Sequence, residues 1–216
     1  MNILYIAYSC DPYNGSEDKT GWNIPYYNLN GNNITVITKE EQREHIEAFL
    51  KKHEDVKIRV HYVDIPGIYK KIFKKGFFHS PRLILWHKRA VKLARAICSN
   101  EQVDIIHQIT PLEFRSIGNY GKIKGSRFVC GPLGGAEYVP EGLSIYKNDN
   151  KMVEVVRRVF NRLIYCSMAI TRKMKKCDFL IFANEETRKY LSPLVKDIPY
   201  MIMTDVGIRK EEIKGA

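Results

Sequence analysis

Three short stretches group the residue types that chemistry requires. The first is Asp11-Pro12-Tyr13-Asn14-Gly15-Ser16-Glu17, followed by Gly21-Trp22-Asn23. Gly15 permits close backbone approach to a ligand, and a helix starting after it would present free N–H groups to a phosphate. Ser16 and Glu17 suit either a helix cap or contact with a polar substrate. The second stretch is Asp104-Ile105-Ile106-His107-Gln108. An imidazole donates or accepts hydrogen bonds near neutral pH, which suits recognition of sugar hydroxyls or stabilisation of charge. The alternative is a strand-end histidine tied to a carbonyl. The third stretch is Phe128-Val129-Cys130-Gly131-Pro132-Leu133-Gly134-Gly135-Ala136-Glu137. Gly134 and Gly135 allow positive φ, and Glu137 can accept hydrogen bonds from hydroxyls or simply face solvent.

Several other chemistries lack their residues. No Ser-His-Asp ordering, H-E-x-x-H, Walker lysine motif or zinc pattern occurs. His45, His53, His61, His79 and His87 have no metal-ligand spacing and read as surface histidines. The five cysteines are scattered, odd in number and without a C-x-x-C pair, which indicates free thiols in a reducing compartment. Neither a cofactor nor a metal is called for. A nicotinamide-dependent oxidoreductase would need G-x-G-x-x-G after its first strand and an acid ending its second. Here the second strand ends Ile37-Thr38 before Lys39.

These stretches need elements to position them. Asn2–Tyr8 reads as a buried strand of an α/β sheet, and its following loop lies where open α/β folds bind ligands. Further strands are expected at 33–38, 56–63, 103–107, 127–131, 178–183 and 198–203. Helices are expected at 20–30, 40–53, 79–99, 111–120, 152–176 and 185–191. Alternating strands and helices imply a Rossmann-like, mostly parallel sheet with helices on both faces. On 152–176 an apolar stripe of Val155, Val156, Val159, Leu163, Ile164, Met168, Ile170 and Met174 reads as core, with the arginines solvated. Residues 1–208 are expected to form one such domain, and the charged stretch 209–216 to begin a linker. The start of the chain has no basic region ahead of its apolar run, and no apolar run reaches the ~18 residues of a membrane span.

The formal net charge of +11 is concentrated. Residues 65–100 hold nine basic residues and no acid, and 151–176 hold eight basic residues against Glu154. Such blocks favour anionic partners. Lys70, Lys71, Lys74 and Lys75 interleave with Ile68, Tyr69, Ile72, Phe73, Phe77 and Phe78. That composition suits an anionic membrane surface. A non-enzymatic peripheral membrane or nucleic-acid binding module with a Rossmann-like core is the alternative reading; nucleic acid is not the partner expected.

The three stretches, in this order and spacing, are similar to the amino-terminal half of family-4 retaining glycosyltransferases of the GT-B fold. The similarity spans residues 2–140, and 178–186 fits the last strand and helix of that half. It implies two Rossmann-like domains, with a nucleotide-sugar donor held mainly by the carboxyl-terminal one. The amino-terminal one would hold a glycan or lipid-linked acceptor and lend its first glycine loop to the donor phosphates. By position, Gly15 and Ser16 match that loop, and His107 matches the active-site histidine. Glu17, Trp22, Gly134, Gly135 and Glu137 fall at the acceptor cleft, with Ala136 where a third glycine usually stands. The family's E-x7-E donor motif does not occur in this sequence. The resemblance therefore implies an acceptor-binding part of a longer enzyme, inactive by itself. The free cysteines place it in the cytoplasm, and the basic segment at 65–100 suits the inner face of the plasma membrane.

Overall fold

The computed structural model describes residues 1–65, 67, 79–137 and 151–204. Within them, seven strands form one sheet: β1 (Asn2–Ala7), β2 (Asn33–Lys39), β3 (Ile58–Val63), β4 (Ile105–Thr110), β5 (Arg127–Leu133), β6 (Phe179–Phe182) and β7 (Tyr200–Ile202). The spatial order is β3-β2-β1-β4-β5-β6-β7, and every neighbouring pair is parallel. Five helices accompany it: α1 (Glu17–Tyr27), α2 (Arg43–Lys52), α3 (His79–Asn100), α4 (Lys151–Thr171) and α5 (Glu185–Leu191). The chain is thus a parallel α/β protein of Rossmann-like form. The segment 209–216 and the lysines at 70, 71, 74 and 75 lie outside the described residues.

The strand sequences explain the layering. A parallel sheet is covered on both faces, so its strands are apolar on both. In β1, Leu4 and Ile6 pack on one face with Trp86 and Ala90 of α3 and Met168 of α4. Ile3, Tyr5 and Ala7 pack on the other with Trp22 of α1 and Ile46 and Phe49 of α2. Two carboxylates begin the ladders. Asp104 accepts from the Asn2 amide at 2.7 Å, and Asp178 accepts from the Phe128 amide at 2.7 Å.

Three sequence expectations are corrected. Residues 111–120 form no helix. Gln108 holds them in an irregular path, its amide donating to the Ser116 carbonyl at 2.8 Å and its oxygen accepting from the Gly118 amide at 2.9 Å. Such side-chain bonds substitute for helical ones. β4 runs three residues further than its apolar run suggested, so His107 is its third residue rather than its end. On α4, Val155, Val156, Val159, Leu163 and Ile170 are exposed, while only Met168 is fully buried and Ile164 half-buried. Periodicity locates an apolar face but does not say what covers it.

Close approach fixes where α1 sits. A Cβ at Gly21 would lie 1.9 Å from the Ser9 carbonyl oxygen, so only glycine lets α1 lie against the exit of β1. At Gly15 an added Cβ meets nothing within 4 Å. Urea denaturation is expected to show Gly21→Ala less stable by about 2 kcal/mol. Gly15→Ala is expected to fall within about 0.5 kcal/mol of the parent. Equal effects at the two positions would contradict this packing.

Candidate functional site

The order of the sheet reverses between β1 and β4, and their carboxyl ends open a crevice there. The loop after β1 is built on Asp11. Its carboxylate accepts from the amides of Tyr13 at 2.8 Å and Asn14 at 3.1 Å, and the His45 ring nitrogen lies 2.6 Å away. Gln42 then ties three elements together. Its oxygen accepts from the Cys10 amide at 2.6 Å and the Thr38 hydroxyl at 3.2 Å, and its nitrogen donates to Asp18 at 2.6 Å. α1 therefore starts at a fixed point, and Glu17, its first residue, reaches across the crevice. One Glu17 oxygen accepts from the Leu112 amide at 3.0 Å.

The far wall is an interlocked pair of loops. The Gly134 amide donates to the Leu112 carbonyl at 2.6 Å, and the Phe114 amide donates to the Gly134 carbonyl at 3.0 Å. Arg115 is held at all three nitrogens: Nε donates to Asn161 at 2.6 Å, Nη1 to Glu113 at 2.8 Å and Nη2 to the Gly135 carbonyl at 2.7 Å. Gly135 sits at φ 90°, a left-handed conformation that favours glycine. Glu137 closes the loop. Its carboxylate accepts from the Gly135 amide at 3.0 Å, from the Thr187 hydroxyl at 3.3 Å and from the Asn184 amide group.

Between these walls lies a cleft of ≈370 Å³ lined by Glu17, Pro111, Leu112, Glu113, Gly134, Gly135 and Glu137. Its carboxylates differ. Burial raises the pKa of Glu17 above the usual carboxylate range, and the Leu112 amide only partly offsets that. Burial also acts to raise Glu137. The donors around it, Asn184 first and then backbone amides and Thr187, outweigh that and hold it below the usual range. Glu113 is neutralised by Arg115. The cleft is acceptor-rich: three carboxylates and no described basic residue line it. That chemistry suits hydroxyl groups and repels phosphates. Among the described residues no cluster of three or more His, Cys, Asp or Glu side chains could hold a metal ion.

Four residues singled out in the sequence meet here: Glu17, Gly134, Gly135 and Glu137. The others sit elsewhere. Gly15 and Ser16 are exposed on the turn entering α1, and the positive φ of 57° falls on Ser16 rather than Gly15. Trp22 is corrected from a cleft residue to a core residue: it is fully buried, its ring 5.0 Å from that of Phe49. A helix turning once past Glu17 carries it under the sheet. His107 is buried within β4, and its Nε2 lies 2.8 Å from the Gly131 carbonyl oxygen. It does not line the cleft. His87 is not on the surface either: it is buried, with Nδ1 2.9 Å from the Tyr120 hydroxyl. Sequence reasoning missed Glu113 and the clamp made by Arg115, which lie between the second and third motif stretches.

No protein-family model matches the chain, and no curated protein does.

The buried histidine makes a pH prediction. Burial lowers His107 from 6.5 to about 4, opposed in part by its bond to Gly131, so it is neutral in the folded protein at pH 7. The unfolded chain binds the proton more tightly. Its contribution to stability is therefore complete above pH 6.5 and is lost as pH falls towards 4. His107→Gln keeps a donor for Gly131 and removes the titration. Its stability is expected to fall less steeply than the parent's over that window, by on the order of 3 kcal/mol in total. Parallel curves would mean that His107 titrates normally when folded.

Proposed function

We propose that this chain supplies the acceptor side of a glycosyltransferase. Its cleft holds a sugar or other polyhydroxyl acceptor that receives a glycosyl group from a nucleotide-sugar. The reading is carried by one observation: Glu17, Gly134, Gly135 and Glu137, drawn from two separated sequence motifs, line a single acceptor-rich cleft at the switch point of a parallel sheet. The size of that cleft suits a small ligand. Glu17 and Glu137 accept hydrogen bonds from acceptor hydroxyls, and the Gly134-Gly135 backbone lets a ring approach closely. Gly15, exposed and with open space where a Cβ would stand, lets a donor diphosphate approach the backbone, and a second α/β unit facing the strand ends would carry the rest of that donor. In this reading His107 is a positioning residue that braces β5 beneath the cleft loop.

The reading depends on the motif resemblance together with this geometry. Saturation-transfer NMR against methyl hexosides at millimolar concentration tests it. Hexosides are expected to bind. Glu17→Gln, which can still accept from Leu112, is expected to weaken them roughly fivefold, the cost of one charge-assisted bond made neutral. Absence of any hexoside signal, with tight binding of duplex DNA instead, would favour the basic binding module and overturn the proposal.

A further inference from the structure

α4 has two different sides. Its inner side holds the cleft: Arg157 donates to the Glu137 carbonyl at 2.5 Å, and Asn161 accepts from Arg115. Its outer side is apolar and open. Val155, Val156, Val159, Phe160, Leu163 and Ile170 are between 40% and 81% exposed. At 100° per residue they span one continuous arc of the helix. Single exposed apolar side chains need no explanation, but a contiguous face of this extent does.

The surroundings of that face are cationic. Arg158 and Arg162 are exposed along one rim of the arc. Beside it runs a groove of ≈400 Å³ between α3, α4 and the segment 115–122. Lys88, Arg95, Lys122 and Lys173 line it along with apolar residues, and no described carboxylate does. Lys173 is half-buried, and both burial and the charge of Lys122 lower its pKa. Two lysines converging in a groove that no described carboxylate lines mark a place for an anion.

We propose that the outer face of α4 and the adjoining α3–α4 groove dock on a bilayer containing anionic phospholipid. The apolar arc enters the headgroup–acyl boundary, and the groove cations take headgroup phosphates. A convex helix face without a shaped pocket fits a fluid surface better than a folded partner. Two copies of this chain meeting through the face would bring Arg158 and Arg162 of each against the same charges. Nucleic acid would leave the apolar arc against phosphates and water. The docked helix would hold the cleft close to the membrane through Arg157 and Asn161. Docking itself does not depend on which ligand the cleft takes.

Cys166 lies on the same arc and is the exposed one of the five cysteines. The intact chain, labelled there with an environment-sensitive fluorophore, is mixed with phosphatidylcholine vesicles with or without phosphatidylglycerol. Sedimentation with the anionic vesicles is expected to exceed that with the neutral ones at least about tenfold and to weaken in high salt, and the label is expected to shift to the blue. Lys122→Ser with Lys173→Ser should lose about tenfold or more in anionic binding. Val159→Asp with Leu163→Asp should lose at least about tenfold with an unchanged circular dichroism spectrum. If that variant misfolds, the label on the parent sequence decides alone. The proposal is overturned if the parent stays in the supernatant, binds both vesicle types equally, or binds while the label remains in water. Dimerisation of the parent that the aspartates abolish, or a preference for duplex DNA over vesicles, overturns it too.

Discussion

The hydrogen bond from the Leu112 amide to the carboxylate of Glu17 ties α1 across the crevice where the sheet changes direction. The exits of β1 and β4 are joined by the Thr110 hydroxyl, which accepts from the Ser9 amide and donates to the Ser9 carbonyl, both at 2.9 Å. Glu17 then ties the first turn of α1 to the segment that follows β4. Its position depends in turn on the Gln42 bonds and on the Gly21 contact that presses α1 to β1. Burying that carboxylate is costly, which is why its affinity for a proton rises. A buried acceptor with further lone pairs at the mouth of a cleft is also what a hydroxyl ligand needs.

The opposite wall is rigid for a different reason. Arg115 spends its donors on Asn161, Glu113 and Gly135, and Glu137 gathers donors from its own loop and from the start of α5. Such a network fixes the cleft loop between the sheet and α4. Buried polar networks of this kind specify a geometry rather than add much stability. The polar inner side and apolar outer side of α4 follow from that arrangement. The helix that anchors the loop turns Met168 towards the sheet but leaves Val155, Val156, Val159, Leu163 and Ile170 facing away from it.

Much of the sheet was legible in the sequence because parallel strands announce themselves as short, continuous apolar runs, as in Ile3–Ala7 and Phe179–Phe182. Glu17, Gly134, Gly135 and Glu137 could be picked out because glycine-rich loops after such strands have a known place in the fold. Trp22 and His107 could not be placed so simply. Their burial depends on a helix phase and a strand end, each uncertain by one or two residues, and one residue reverses the face. The irregular path of 111–120 was hidden because side-chain bonds from Gln108 maintain it, and composition does not encode these. The outward face of α4 was misread because amphipathicity has the same signature whether its apolar side is buried in a core or left open.

The most direct measurement is a residue-resolved amide titration with a hexoside, following ¹⁵N–¹H shifts across the described backbone. Binding in the cleft would move the amides of Leu112, Gly134 and Gly135 together, since these share one hydrogen-bonded wall with Glu17 and Glu137. Shifts confined to α3 and α4, or none at millimolar ligand, would contradict it.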